Sequence, residues 1–155
     1  MLCGFTYPSL VKEFWINASI IELNSECAII SRVTCISITV TSKVIANVIN
    51  CEEIGHIPGT LVWDYYLPTW RIFVDPFKTS EVSNIPPEAV VWCQILNSNL
   101  LPKDKDLDQV DSIEQDLLLL LNSDLKIDLP QVMFDHMKKS LSSFQEGKTF
   151  SIPYG

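Results

Sequence analysis

Ile85-Pro-Pro-Glu-Ala-Val-Val-Trp-Cys-Gln-Ile-Leu-Asn-Ser-Asn-Leu-Leu-Pro102 is the stretch around which the rest of this chain is predicted to pack. Proline is accepted in the first turn of a helix and ends a helix when it recurs, so Pro86, Pro87 and Pro102 bracket one helix of about four turns. Its apolar residues follow helical spacing, and two more widen the stripe: Ala89, Trp92, Cys93, Leu96 and Leu100, with Val91 and Ile95. We expect this helix to be buried on most sides.

Toward the N-terminus the sequence predicts a short helix followed by a sheet. The stretch Tyr7–Asn17 is predicted to form the helix, which Ser9 is expected to cap. Three runs rich in β-branched residues, 19–23, 28–33 and 35–39, predict an antiparallel sheet of two or three strands. The last run indicates one solvent-exposed face, because polar and apolar residues alternate in it: Cys35, Ser37 and Thr39 against Ile36, Ile38 and Val40.

Three further helices are predicted around this frame. The first covers residues 43–50, is capped by Thr41 or Ser42, and is expected to turn four side chains inward: Val44, Ile45, Val48 and Ile49. The second opens at Asp108 or Asp111, and the third runs over residues 130–145 with an apolar face that includes His136. The sequence therefore predicts an α+β fold, mostly helical, with a small antiparallel sheet near the N-terminus and a single domain over residues 1–155.

Composition narrows the class of function. An apolar content of 47% with 19% charged residues indicates a globular chain that needs no metal or disulfide to fold. A net charge of −8 without clustered cations disfavours binding to nucleic acid or to anionic membranes. The five cysteines lack paired spacing and no signal peptide precedes the domain, which favours free thiols and a soluble protein in the cytoplasm or nucleus.

Five stretches, in this order, resemble a plant transposon protein domain that occurs in retroelement open reading frames labelled envelope-like. They are Tyr7-Pro-Ser-Leu-Val-Lys-Glu-Phe-Trp-Ile-Asn17, Ile36-Ser-Ile-Thr-Val-Thr-Ser-Lys-Val-Ile-Ala-Asn-Val-Ile49, Ala89-Val-Val-Trp-Cys-Gln-Ile-Leu-Asn-Ser-Asn-Leu-Leu-Pro102, Ile127-Asp-Leu-Pro-Gln-Val-Met-Phe-Asp-His-Met137 and Phe150-Ser-Ile-Pro-Tyr-Gly155. The resemblance implies an origin and no reaction. It also implies truncation, because the family continues with a helix beyond Pro-Tyr-Gly. Family members tend to carry Gly-Lys where this chain has Thr34-Cys35, and a glycine where it has Ser123-Asp124, so these turns are expected to differ or to be strained.

No arrangement of reactive side chains predicts catalysis, a metal site or a cofactor. His136 follows Asp135 directly on a helix, where adjacent side chains point about 100° apart and cannot act as a base and its orienting group. We interpret His136 as a packed or half-buried residue and His56 as part of a surface loop, since no zinc-ligand spacing follows Cys51. The run Asp104, Asp106 and Asp108 lacks the glycine and glutamate of a calcium loop.

Function is predicted to lie in a protein-binding surface. Residues 61–77 concentrate aromatic side chains among prolines, and exposed aromatics are the usual anchors of interfaces. The candidate interaction surface is Trp63, Tyr65, Tyr66, Trp70 and Phe73. The leading hypothesis is a non-catalytic structural or protein-interaction domain of plant retroelement origin, with an unidentified protein partner. The alternative is a nucleic-acid-binding protein of the same origin, whose affinity would fall steeply with salt. A hydrolase or thiol enzyme is a third hypothesis, which would need His56 or His136 within reach of Cys51 or another nucleophile.

Overall fold

The computed structural model describes residues 7–23, 26–60, 73–75, 80–102, 108–123 and 125–145. It begins with helix α1 (Pro8–Asn17) and strands β1 (Ser19–Leu23), β2 (Glu26–Val33) and β3 (Ile36–Val40). Four helices follow: α2 (Ser42–Ile49), α3 (Pro87–Ile95), α4 (Ser112–Asn122) and α5 (Leu129–Gln145). The predicted α+β fold, mostly helical with a small antiparallel sheet near the N-terminus, is confirmed.

The sheet has the order β1-β2-β3, with both pairs antiparallel. Ile29 lies opposite Ile20 on one side and Val40 on the other, so these three side chains share a face. That face packs into the first core cluster with residues of α1, α2 and α5, namely Trp15, Ala18, Ile45, Phe134 and Leu141. Ser37 and Thr39 point away from it and are exposed, as the alternation in the sequence predicts.

Helix α1 is fixed to the sheet by polar contacts as well as by Trp15. The Asn17 amide donates to the carbonyl oxygen of Arg32 at 2.8 Å, and the Ser31 hydroxyl donates to that of Phe14 at 2.7 Å. The prediction that Ser9 caps this helix is wrong. The cap position is Tyr7, and the helix begins at Pro8, whose missing N–H has no intrahelical partner to lose there.

The β2–β3 turn consists of Thr34 and Cys35, both at positive φ, 47° and 69°. Two-residue hairpin loops favour two such residues because their twist matches the strands, and Asn-Gly is the usual sequence. Thr34 is β-branched, which makes positive φ unusually costly for it. Its backbone N–H donates to the Glu13 carboxylate at 2.9 Å, so α1 helps to hold the turn. The strain expected at this position is therefore present, whereas Ser123 has a φ of −105° and needs no glycine.

A second core cluster lies among α3, α4 and the start of α5. Its buried members are Phe73, Ile85, Cys93, Leu96, Leu101, Val110, Leu117, Leu118, Leu119 and Val132. Helix α4 starts at a capping box in which Asp111 accepts from the Glu114 N–H at 2.9 Å and Glu114 accepts from the Asp111 N–H at 2.8 Å. Of the two caps that the sequence allowed, Asp111 is confirmed. Helix α5 joins the two clusters, because Val132 belongs to this one and Phe134 to the first.

Two predicted helix faces are corrected by the structure. In α2 the buried residues are Ile45 and Ala46, while Val44 is partly exposed and Val48 is 71% exposed. Ile45 and Ile49 pack in the first core cluster as predicted, and Ala46 takes the inward position that the sequence assigned to Val48.

The helix of Pro87–Ile95 is also shorter and more exposed than expected. It continues only as a π-helical turn, Leu96–Leu100, in which the Leu101 N–H donates to the Leu96 carbonyl at 2.8 Å. Cys93 and Leu96 face the core as predicted. Val91, Trp92 and Ile95 do not, because α3 lies on the outside of α4 and buries one side only.

Candidate functional site

The aromatic interaction surface predicted from the sequence falls largely outside the described residues. Trp63, Tyr65, Tyr66 and Trp70 lie there, and their role stays a prediction. Phe73 is described and is 6% exposed, within the second core cluster. It therefore cannot contribute to a contact surface in this conformation.

Phe73 is held inward by Asn84, which binds the backbone that follows it. The Asn84 side-chain amide donates to the carbonyl of Asp75 at 2.6 Å and accepts from the Asp75 N–H at 2.8 Å. The N–H of Val74 donates to the Asn84 carbonyl at 2.8 Å. Asn84 itself is buried, and these contacts pair its polar atoms. No local pattern in the sequence predicts this arrangement, because the two partners are nine residues apart in an irregular segment.

The apolar surface that the structure does show lies on α3. Val91 is 53%, Trp92 46% and Ile95 41% exposed, and their spacing puts them on one side of the helix. We call these three residues the α3 patch. Glu88, three and four residues before Val91 and Trp92, lies on the same side and marks it as the outward one. In the sequence Glu88 therefore indicated the exposed side of the helix, but the apolar run around it obscured this signal.

A groove with a volume of about 320 Å³ adjoins the α3 patch. Helix α3 and the residue before it line one wall, and helix α4 the other; the residues are Pro86, Glu88, Ala89, Trp92, Leu118, Leu121 and Asn122. Trp92 belongs to both the patch and the groove. The exposed lining is slightly more polar than apolar, with Glu88 and Asn122 beside Ala89, Trp92, Leu118 and Leu121, and the groove is large enough to take a side chain of a protein partner.

His136 is half-buried, as the sequence predicts. Burial lowers the pKa of its imidazole below 6.5, the positive charge of Lys139 lowers it further, and Asp111 opposes both.

His56 lies beside the connection between α4 and α5 and is half-buried. The backbone N–H of His56 donates to the Lys126 carbonyl at 2.8 Å, and its backbone carbonyl accepts from the Asp128 N–H at 3.1 Å. These bonds attach the loop to the second half of the chain. Gly55 makes the approach possible, since a Cβ there would lie 2.5 Å from the carbonyl carbon of Ile127.

A polar recess of about 380 Å³ lies between the start of β2, the start of α2 and α5. Lys138, one of its lining residues, contacts the Asp135 carboxylate at 3.0 Å, and this hydrogen bond raises the pKa of Lys138. Glu53 accepts from the Ser42 hydroxyl at 2.7 Å. Cys27 also lines the recess and is a free thiol, as are Cys35 and Cys51. Of the charged residues that line the recess, Lys138 is paired with Asp135, which lies outside the lining, and Glu53 accepts from a neutral hydroxyl.

Metal ligation and membrane insertion were assessed on the same residues. Within the described ranges, no three His, Cys, Asp or Glu side chains come together in a way that could hold a metal ion. Of the described helices, none combines the length and the apolar character needed to cross a bilayer. We compared the chain with protein-family models, with curated proteins and with solved structures, and none of the three comparisons gave a match.

Proposed function

We propose that this chain is a non-catalytic protein-interaction domain that contacts its partner through the α3 patch and the adjoining groove. The observation that carries the proposal is the exposure of Val91, Trp92 and Ile95 together on one helix. Single exposed apolar residues are ordinary on protein surfaces, whereas contiguous patches with a large aromatic group characterise interaction sites. A cleft beside such a patch gives a partner's side chain a place to be buried.

The histidines support the non-catalytic part of the proposal. His136 has its pKa lowered chiefly by burial, which fits a role in packing. His56 contributes its backbone to the junction with residues 126–128. Both residues thus have a structural role in the fold.

The origin of the domain is part of the same proposal. Its support is the order of the five stretches that resemble the plant retroelement domain. We place the protein inside the cell, in the cytoplasm or nucleus, on the basis of its unpaired cysteine spacing and its acidic composition. The partner on this view is a protein of the plant cell or of the element itself.

The test compares proteins retained from plant extract by four forms of the purified domain. These are the wild type, Trp92→Ser with Ile95→Ser, the matched control Val48→Ser on α2, and Tyr65→Ala with Tyr66→Ala and Trp70→Ala. We expect the control to retain the same proteins as the wild type and the α3 variant to lose them, with circular dichroism showing that each variant is folded. Loss in the Tyr65, Tyr66 and Trp70 variant alone would move the contact surface to the aromatic segment. Identical retention by all four forms would overturn the proposal.

A further inference from the structure

We infer that the occupant of the α3 patch is a cationic amphipathic helix, with apolar residues on one side and Lys or Arg beside them. This inference rests on the proposed function and specifies the chemistry of the partner. It depends on three features of the described residues: the shape of the groove, the residues that line it, and the distribution of charge around it.

The shape favours a helix over an extended peptide. Both walls of the groove are helices, so it offers no strand edge with which an extended peptide could pair. Helix α3 has nine residues, a length of about 14 Å at the usual rise per residue. Two to three turns of a partner helix would cover that length and would present apolar anchors at i, i+3 or i+4, and i+7.

The α3 patch and the apolar part of the groove favour apolar anchors. Ala89, Trp92, Leu118 and Leu121 line the groove together with polar groups, and Trp92 continues into the exposed patch. An aliphatic or aromatic side chain entering there would remove these groups from water. The exposed Val91 and Ile95 would meet the apolar residues one turn away on the partner.

The charges favour a cationic partner. Helices α3 and α4 carry no Lys or Arg, while Glu88 is exposed at the edge of the groove. The described bases all lie on other parts of the chain: Lys12, Arg32, Lys43, Lys126, Lys138 and Lys139. Residues 103–107, which join the two helices in sequence, contain two lysines and two aspartates and add no net charge. With a net charge of −8, the protein attracts cations and repels a second copy of itself.

The experiment is selection from a display library of helical peptides about 15 residues long, with apolar residues at i, i+3, i+4 and i+7. Lys, Glu, Gln and Ser are allowed equally at all other positions. Peptides are selected on the wild-type domain and depleted on Trp92→Ser. We expect the enriched peptides to be net positive. The best of them, once synthesised, should bind the wild type about 30-fold more tightly than Trp92→Ser, as befits an aromatic anchor at the centre of an interface.

A second pair of variants tests the charge. Glu88→Gln should weaken binding of that peptide about twofold to fivefold, the range of an exposed ion pair, and added salt should have less effect on this variant. Glu52→Gln, an exposed carboxylate outside the groove, is the matched control and should change nothing.

Three outcomes would overturn the inference. Enriched peptides that depend on Trp92 but are neutral or acidic would refute the cationic partner and leave the interaction function intact. Absence of any Trp92-dependent enrichment would refute the helical occupant, while the retention experiment with plant extract still decides the proposed function. Sedimentation showing a dimeric wild type and a monomeric Trp92→Ser would show that a second copy covers the patch.

Discussion

Replacing the two residues of the β2–β3 turn, Thr34→Asn together with Cys35→Gly, is expected to stabilise the protein. Each non-glycine residue in the left-handed region costs about 1–2 kcal/mol, and both turn residues are there, at φ 47° and 69°. Asn tolerates this region better than the β-branched Thr, and Gly has no penalty in it. Glycine also lowers the free energy of unfolding by about 0.5–1 kcal/mol, because it gives the unfolded chain more conformational freedom. The net gain is therefore about 1–2 kcal/mol.

The assay is urea unfolding followed by circular dichroism. For a domain of this size we expect the midpoint to rise by about 0.5–1 M at an unchanged slope. The bond from the Thr34 N–H to Glu13 is a backbone contact, so the substitution keeps it. Cys35→Ala is the control, because it removes the exposed thiol and retains a Cβ at positive φ, and it should leave the midpoint where it was. A double variant no more stable than the wild type, or a control that gains as much, would refute the account from backbone strain.

Three further substitutions, two of them with a control, test other parts of the fold by urea unfolding. Gly55→Ala should lower the free energy of unfolding by about 2 kcal/mol, because the added Cβ would lie within 2.6 Å of the backbone of Ile127 and Asp128. Gly59→Ala, with φ +79° and no neighbour within 4 Å, should cost about half as much; equal losses would show that close approach is unimportant. Asp111→Ala should cost about 1–2 kcal/mol through loss of the capping box, whereas Asp108→Ala should cost almost nothing, and equal effects would contradict the assigned cap. Because the pKa of His136 is lowered in the folded state, the unfolded chain binds its proton more readily, and stability should fall as pH drops below about 6.5. His136→Gln should remove part of the loss between about pH 7.5 and about pH 5, and an unchanged pH profile would show that another group is responsible.

The parts of the fold that the sequence predicted are those with local signals. Thr41 caps α2 by accepting from the Val44 N–H at 3.3 Å, and Asp111 with Glu114 forms a capping box, both of which are readable over four residues. The three β-branched runs, which predicted two or three strands, match the observed strands to within two residues at every end. In each case the determining interactions lie close together in the chain.

The orientation of α3 could not be predicted because nearly every position from 89 to 96 is apolar. In such a run Glu88 is a weak marker of the outward side, and the tertiary contacts decide which of the apolar residues are buried. Here the contact with α4 buries Cys93 and Leu96 and leaves Trp92 partly outside. The candidate site was missed for the same reason, since assigning Trp92 to the core removed it from consideration as a surface residue.

The fate of Phe73 illustrates a second limit of local patterns. Its position depends on Asn84, which pairs with the backbone of Asp75 across an irregular segment. An aromatic residue near prolines has the same sequence context whether its side chain lies on the surface or in the core. The long-range amide contacts alone distinguish the two.

Helix α5 determines how the fold is lost on denaturation. Val132 fills one apolar interior while Phe134 and Leu141 fill the other, so a single rod of 17 residues is shared by both. A chain that ended before residue 129 would lack apolar side chains in both core clusters rather than at one end of the fold. We therefore expect denaturation to proceed in one concerted step, and truncation before residue 129 to unfold both clusters rather than one.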